Sequence, residues 1–385
     1  MVHATQRTRR SRVVAAVVVA SAALAGCTRG PDRDASPLAA ANGAVCPEAF
    51  ADAKAAVVAA EVTAVPWTGP TTGPTAPTGK TVVYIAQIMT NPGVAGVAKG
   101  AVEAAHAVGW NLELIDGQGS PSGIQSAFKH ALALNPDGVI IGGFDPNVAA
   151  AQLQEANAKD IPVVGWHAVD SPGPSRNPKL FTNITTKVED VARISAQWII
   201  RHSGGTAGVV VFTDASIPFA KHKSQLITAA FQACPGIQLL STEDIPIPQG
   251  STRTPRHISS LLDRFGDSWT HSVAINDLYF ADAAPALRKA DKHGAGPPYN
   301  IGAGDGDPVA FERIRNRQYE AATVPEPLLQ QGWQIIDELN RAIAHQPSSN
   351  FVPPVHLTTT ANVGDATYWE PDNGYRNRYM TIWGR

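Results

Sequence analysis

The sequence predicts an α/β fold in which two doubly wound parallel-sheet lobes are joined by three hinge crossings. From residue 81 onward, short apolar segments alternate strictly with segments of helical spacing, which is typical of right-handed crossover units on parallel sheets. The strand segments are continuous apolar runs, such as Val-Val-Tyr-Ile-Ala at 82–86, and this indicates strands covered on both faces. The alternation restarts after Asn183, which favours two similar lobes over one long sheet.

The individual elements follow from the same pattern. Apolar runs bounded by polar or turn residues predict strands at 82–86, 112–115, 138–141, 162–166, 180–181, 209–212, 238–240, 273–275, 301 and 321–324. Apolar residues at helical spacing predict helices at 46–62, 94–108, 124–134, 148–158, 188–201, 221–233, 258–265, 282–290, 308–315 and 328–344.

A secretory signal peptide is predicted at residues 1–26. Arg-Thr-Arg-Arg-Ser-Arg at 7–12 precedes an apolar run, and small residues follow it. The run is too short for a comfortable membrane span. Leu-Ala-Gly-Cys at 24–27 is similar to the bacterial lipobox, which implies a lipid on Cys27 and an extracytoplasmic chain anchored to the cell membrane. The alternative is that Cys27 is an ordinary small residue of the signal peptide.

Charge and cysteine content limit the partners of the exported chain. Removal of residues 1–26 leaves 27 basic against 33 acidic residues, a net charge of about −6. This excludes the basic surface that nucleic-acid binding needs. Cys46 and Cys234 could pair outside the cytoplasm, or they could be two separate buried thiols.

The predicted domain boundaries follow from composition and from the break in the alternation. Residues 27–79 form a lipid-anchored tether, a short helix and a Pro-rich linker. We expect a first lobe from 80–184 plus 326–354 and a second lobe from 185–325 plus 355–385. The crossings are expected near 183–185, 324–326 and 354–357, and the aromatic-rich tail 362–385 is expected on the second lobe.

Candidate binding residues lie just after the predicted strands, because ligands of open α/β sheets sit at the carboxyl ends of the strands. Polar groups and one flat aromatic face collect at this edge, which suits a small polar, sugar-like solute. The candidates are Gln87, Asn91, Trp166, His167, Asn276, Asp277, Asp305 and Glu326.

Several candidates have an alternative structural role. Asn276 and Asp277 could only cap the helix that follows. Asp305 could serve turn chemistry alone. Trp166 could belong to the core, and His167 could be a structural histidine.

No catalytic residue, cofactor or metal is predicted. A glycine-rich stretch at 117–123 follows the second strand, its third glycine comes one residue late, and Pro121 removes a backbone donor. It therefore does not predict a nucleotide site. The sequence contains no His-Glu-x-x-His, Cys-x-x-Cys or Gly-x-Ser-x-Gly motif.

Four short motifs carry a resemblance to a known family. They are Met-Thr-Asn-Pro at 89–92, Ile-Pro-Val-Val at 161–164, Ala-Ile-Asn-Asp at 274–277 and Ile-Gly-Ala-Gly-Asp-Gly at 301–306. With them, residues from about 80 to 357 resemble the ribose- and galactose-type periplasmic sugar-binding proteins, the substrate-binding subunits of bacterial ABC transporters. The resemblance implies two lobes that close around a ligand.

The resemblance also implies site residues, several of which depart from the family pattern. Asn91 would line the pocket from the first lobe. His167 and Ala168 stand where sugar binders keep an Asp and an Arg, and Glu326, between two prolines of a stiff hinge, stands near a family Gln.

The aromatic and cationic positions of the family are also altered. Gly93 and Val94 stand where ribose-type binders keep two Phe, so Trp166 would supply the aromatic wall. Lys221 or Gln225 stands near another family Arg.

Three functions remain open at this point. The first is a monomeric, non-catalytic receptor that hands its solute to an ABC transporter permease. The second is a sensor that presents the bound solute to a membrane signalling protein. The third is a secreted hydrolase that uses Asp305, His167 and Glu326 as acid and base.

Overall fold

The structure, a computed structural model, describes residues 45–385. The predicted signal peptide, the lipid on Cys27 and the tether up to residue 44 lie outside the described residues. None of the helices between residues 45 and 385 combines the length and apolar character that a membrane span requires.

Two six-stranded sheets form the framework of the two lobes. The first sheet consists of β1 (Thr81–Ala86), β2 (Asn111–Asp116), β3 (Gly138–Gly142), β4 (Val163–Trp166), β5 (Gly173–Arg176) and β6 (Lys179–Ile184). The second consists of β7 (Ala207–Thr213), β8 (Ile237–Asp244), β9 (His271–Ala274), β10 (Tyr299–Gly302), β11 (Ala322–Thr323) and β12 (Thr358–Thr359).

The strand orders confirm the predicted doubly wound fold. The first sheet runs β2-β1-β3-β4-β6-β5 and the second runs β12-β11-β10-β9-β7-β8. All paired strands are parallel except β5 against β6 and β12 against β11. These two antiparallel edge strands were not predicted, because both are short and neither carries an apolar run.

Helices cover both faces of the sheets. They are α1 (Pro47–Ala60), α2 (Pro92–Val108), α3 (Pro121–Ala133), α4 (Ala150–Ala158), α5 (Val188–His202), α6 (Pro218–Ala230), α7 (Gly250–Phe265), α8 (Leu278–Lys289), α9 (Pro308–Arg315), α10 (Leu328–Ile343) and α11 (Tyr375–Trp383). Five of them begin with proline, whose fixed φ and missing N–H suit the first helical position. Side-chain caps support two of these starts: the Asn91 Oδ1 accepts from the Gly93 N–H in α2, and the Asp307 Oδ1 accepts from the Val309 N–H in α9.

The core of each lobe lies on both faces of its sheet. In β1, Val82 and Tyr84 join one apolar cluster, and Val83 and Ile85 join the cluster on the opposite face. Since side chains alternate along a strand, an unbroken apolar run is what two covered faces require.

The chain passes between the lobes at several segments, three of which overlap or adjoin the crossings expected near 183–185, 324–326 and 354–357. These are the segments 185–187, 324–327 and 344–357, which separate elements of one lobe from elements of the other. Within the described residues the chain crosses twice more, through 61–80 and 360–374. Neither additional crossing was predicted. These segments have no helix or strand periodicity in their apolar residues, so the sequence does not indicate which lobe they contact.

The N-terminal helix α1 is fixed to the second lobe by packing and by a disulfide. Ala53 and Val57 lie in the apolar cluster of that lobe. Cys46, at the start of α1, is bonded to Cys234, which follows α6. The structure therefore selects the paired state from the two alternatives for these cysteines.

We expect this disulfide in the exported protein. A tryptic digest under non-reducing conditions should contain the peptides of Cys46 and Cys234 as one linked species, and mass spectrometry should see it divide after reduction. Recovery of both cysteines as alkylated free thiols without reduction would contradict the pairing.

The placement of the C-terminal tail on the second lobe is wrong for its last helix. Val363 and Trp369 do pack against Phe311 of the second lobe. Helix α11, however, lies in the first-lobe core, where Trp383 stacks on Trp333 of α10 at 5.4 Å. The sequence did not separate these cases, because aromatic residues occur along the whole tail.

Helices α2 and α10 of the first lobe approach each other closely. A Cβ added to Gly100 would lie 2.4 Å from the Leu329 carbonyl oxygen, and one added to Gly332 would lie 2.3 Å from the Ala101 nitrogen. The two backbones approach this closely because neither glycine has a side chain.

Candidate functional site

The carboxyl ends of the two sheets meet at a cleft between the lobes. The cleft holds a cavity of about 30 Å³, which is room for only one or two water molecules. Its walls are Gln87, Asn91, Val94, Gly143, Trp166 and His167 from the first lobe and Ile217, Phe219, Ala220, Lys223, Ile247, Ile275, Asn276 and Asp305 from the second. Six of the eight candidate residues line this cavity, and Glu326 and Asp277 do not.

Amide and carboxylate groups bridge the lobes at one side of the cavity. The Asn276 Nδ2 donates to Asp305 Oδ2 at 2.7 Å and lies 3.5 Å from Asn91 Oδ1 of the first lobe. The Asn276 Oδ1 accepts from the Leu278 N–H at the start of α8. Asn276 thus has both of its possible roles, since one atom caps the helix and the other faces the cleft.

Asp305 reaches the first lobe because residue 93 is glycine. A Cβ on Gly93 would lie 1.9 Å from Asp305 Oδ2. The carboxylate therefore lies against the first turn of α2, where the free N–H groups of a helix favour an acceptor or a negative charge. The absence of a side chain at residue 93 makes this direct contact between the lobes possible.

Three rings are stacked across the cleft. The His167 ring lies 4.0 Å from the Trp166 ring at an interplanar angle of 13°. Its other face lies 4.3 Å from Phe219, which belongs to α6 of the second lobe. Trp166 also donates from Nε1 to Gln331 Oε1 at 2.9 Å. Trp166 is therefore both a core residue and a wall of the cleft.

Glu326 supports the cleft from the second crossing segment. Its Oε1 lies 2.9 Å from His167 Nε2, and its Oε2 accepts from Gln331 Nε2 at 2.6 Å. Burial opposes ionisation of this carboxyl, but His167 and Lys223 lower the pKa of Glu326 to about 2. Glu326 is therefore a buried anion that acts on the cavity through His167.

Lys223 is the cation of the cleft, and sequence reasoning missed it. Its Nζ donates to the carbonyl oxygens of Ala303 at 2.5 Å and Ile275 at 3.3 Å. The residues proposed for this role, Lys221 and Gln225, are exposed. Because Lys223 shares a helix face with the buried Ile227, the helical spacing of α6 could have identified it.

Asp277 lies beneath the cleft rather than in it. Its Oδ2 accepts from the Gly306 N–H at 2.6 Å, and its carbonyl oxygen accepts from Arg313 at 3.1 Å. Arg313 in turn lies 2.7 Å from Glu320. Asp277 therefore holds the loop that presents Asp305, and the structure corrects its placement among the ligand-facing residues.

Burial shifts the pKa values of three ionisable side chains in the cleft. It lowers the pKa of His167 and the pKa of Lys223, and it raises the pKa of Asp305 well above its usual value. Glu326 opposes the shift at His167, and Lys223 opposes the shift at Asp305. Burial therefore favours the neutral forms of His167, Lys223 and Asp305, and the neighbouring opposite charges counteract this effect.

A metal-ligand set exists at the same place. His167, Asp305 and Glu326 each offer one ligand atom, and these atoms lie within 4.8 Å of one another. The ammonium group of Lys223 lies near these ligand atoms. A Cβ added to Gly304 would lie 3.2 Å from Lys223 Nζ and 3.9 Å from Glu326 Oε1, so both groups border the same point. Because Lys223 already supplies a positive charge, the absence of a resident metal stays our prediction.

Gln87 offers an unused acceptor to the cavity. It is 7% exposed and lines the first-lobe wall. Its Oε1 is buried and has no hydrogen-bond partner among the described residues. A buried acceptor without a partner costs free energy, which a ligand hydroxyl would recover.

The comparison with known proteins agrees with this architecture. The family model of the periplasmic binding protein domain matches residues 82–347, more than half of the chain. The chain belongs to the periplasmic binding protein family. This confirms the predicted family and the two-lobe fold. No curated protein matches the chain in sequence.

Solved structures of this family share the fold at low sequence identity. The glucose-galactose binding protein GanP from Geobacillus stearothermophilus has 17% identity and a TM-score of 0.65 over 75% of this chain and 100% of its own. A solute-binding protein of an ABC transporter from Agrobacterium vitis, bound with α-D-tagatopyranose, has 14% identity and a TM-score of 0.66 over 75% and 97%. The XylFII–LytSN complex has 17% identity and a TM-score of 0.61 over 74% and 100%.

Proposed function

We propose that this periplasmic binding protein is an extracytoplasmic, lipid-anchored, monomeric solute receptor that captures a small polar, sugar-like ligand between its lobes. It would deliver the ligand to the permease of an ABC transporter and would catalyse no reaction. The observation that carries the proposal is the composition of the cleft. Hydrogen-bonding side chains from both lobes (Gln87 and Asn91, Lys223 and Asn276) surround the flat aromatic faces of Trp166 and Phe219.

This composition suits a polyhydroxylated ring. Hydroxyl groups donate to carboxylates and amide oxygens and accept from amides and ammonium groups, while the apolar face of a sugar ring packs on an aromatic side chain. Closure of the two lobes would exclude water from these contacts. Two proteins of similar structure, the glucose-galactose binding protein and the solute-binding protein bound with tagatopyranose, support a sugar as the first class to test.

A thermal-shift screen would identify the solute. Sugars, polyols, nucleosides and furanose signals are added to the lipid-free chain, and a true ligand at 100 times its Kd should stabilise the fold by about 2.7 kcal/mol. A flat response across all four classes would contradict the receptor function.

We expect Asn276→Ala and Asp305→Ala each to weaken solute binding about tenfold, because a desolvated ligand group loses its hydrogen-bond partner. Calorimetry measures the affinity, and urea unfolding shows that the variants fold. Asp307→Ala is the matched control: its carboxylate caps α9 and does not line the cavity, so it should lower stability but leave affinity unchanged. If the two cleft variants bind like the parent, the pocket assignment is wrong.

A sensor is the second candidate, since one similar structure is the complex of XylFII with LytSN. The two functions differ in the membrane partner rather than in the cleft. Crosslinking from the ligand-bound, anchored protein in cells would recover a permease in the first case and a signalling protein in the second.

A further inference from the structure

The His167 ring occupies the position between the lobes that a flat ligand would take. Its two faces contact Trp166 of the first lobe and Phe219 of the second at ordinary stacking distances. The outer rings are therefore separated by about twice a stacking distance, which leaves space for one ring. In this arrangement that ring is the protein's own imidazole.

The polar edge of the same ring faces a carboxylate of the protein. His167 Nε2 lies 2.9 Å from Glu326 Oε1 on the crossing segment between the lobes. His167 is 7% exposed, and its φ of +49° lies in the left-handed region, which few non-glycine residues adopt. With this backbone conformation the side chain lines the cleft.

The remaining space does not admit a sugar. Ligand pockets in proteins usually measure about 300 to 1,000 Å³, against the cavity of about 30 Å³ found here. A solute therefore enters only when the lobes part or when a wall residue moves, and His167 is the wall residue that fills the stacking position.

We infer that His167 is an internal stand-in for the ligand, which holds the lobes together without solute and is displaced when a solute takes its place between Trp166 and Phe219. That His167 holds the lobes closed without a ligand does not depend on the proposed receptor function. That a solute displaces the His167 ring does rest on that function. His167 thereby sets the affinity, because part of the binding free energy of any solute is spent on removing the imidazole.

The test uses two variants that keep the backbone conformation. Glycine and asparagine both tolerate positive φ, so His167→Gly and His167→Asn remove the ring without forcing the chain to move. His130→Asn, on the exposed face of α3, is the control. We expect small-angle X-ray scattering without solute to show a compact parent and control, and a larger radius of gyration for both His167 variants.

Added imidazole is the probe of the stacking position. It should restore the compact form and raise the Tm of His167→Gly, and it should have no such effect on the parent. Variants as compact as the parent, or an imidazole response that is the same in parent and variant, would overturn the inference.

The solute affinity of a His167 variant shows whether the solute displaces the His167 ring or binds against it. Once a solute is known, His167→Asn should bind it several-fold more tightly than the parent, because no internal ring competes. A weaker affinity would overturn displacement and make His167 a direct ligand contact. If no solute binds any variant, the receptor function fails, but the scattering and imidazole results still decide whether His167 closes the cleft.

Discussion

Replacing Gly93 by leucine is expected to weaken solute binding by at least about 100-fold, which corresponds to about 2.7 kcal/mol. Even the first carbon of the new side chain would lie 1.9 Å from Asp305 Oδ2 in the closed cleft, far inside the contact distance of any two such atoms. The lobes therefore cannot close with Asp305 in its place, and the ligand keeps contacts with one lobe only.

Gly93→Leu should not lower the free energy of unfolding of the first lobe. Gly93 is in the first turn of α2, its side chain would point into the cleft, and leucine is a better helix former than glycine by roughly 1 kcal/mol. Calorimetry and scattering should therefore show lost affinity and an open form, while urea unfolding shows no loss of stability.

Removing the colliding side chain gives the control for Gly93→Leu. In the double variant Gly93→Leu with Asp305→Gly, the carboxylate is absent and the lobes should again approach, although the affinity stays low because Asp305 itself is lost. Parent-like affinity in Gly93→Leu alone would show that the contact between residue 93 and Asp305 has no part in binding.

The fold was largely predictable because its main signals are local. Continuous apolar runs and helical spacing depend on neighbouring residues, so the alternation identified both sheets. The positions that were predicted wrongly or not predicted depend on distant packing. Helix α11 entered the first lobe, and α1 entered the second, because apolar side chains alone do not specify which of two apolar surfaces covers them.

The sequence could predict those site residues that directly follow a strand. Residues after a strand lie at the cleft edge, which is why Asn91, His167 and Asn276 line the cavity. Of the adjacent residues after β9, Asn276 lines the cavity, whereas the Asp277 carboxylate accepts from the Gly306 N–H. Position after a strand does not determine which of two neighbours turns toward the ligand. Phe219 and Lys223 lie on a helix, and a search confined to strand ends does not reach them.

Substitution of Gly332 or Gly100 by alanine is expected to destabilise the protein by about 3 kcal/mol each, at the upper end of the usual cost of overpacking. The new methyl groups would lie 2.3 Å and 2.4 Å from backbone atoms of the opposite helix. Backbone atoms of a helix cannot rotate away as a side chain does, so α2 and α10 must separate. This separation would loosen the shared core that includes Val97, Ile335 and Ile336.

Gly96→Ala is the matched control on the same face of α2. Its added carbon would lie 2.8 Å from the Cδ1 of Leu328, which is the end of a flexible side chain that can change rotamer. The gain in helix propensity of about 1 kcal/mol should offset that adjustment, so urea unfolding should give a free energy within about 0.5 kcal/mol of the parent. If Gly332→Ala and Gly100→Ala are no less stable than Gly96→Ala, the first lobe accommodates a wider spacing of α2 and α10, and their contact is not what stabilises it.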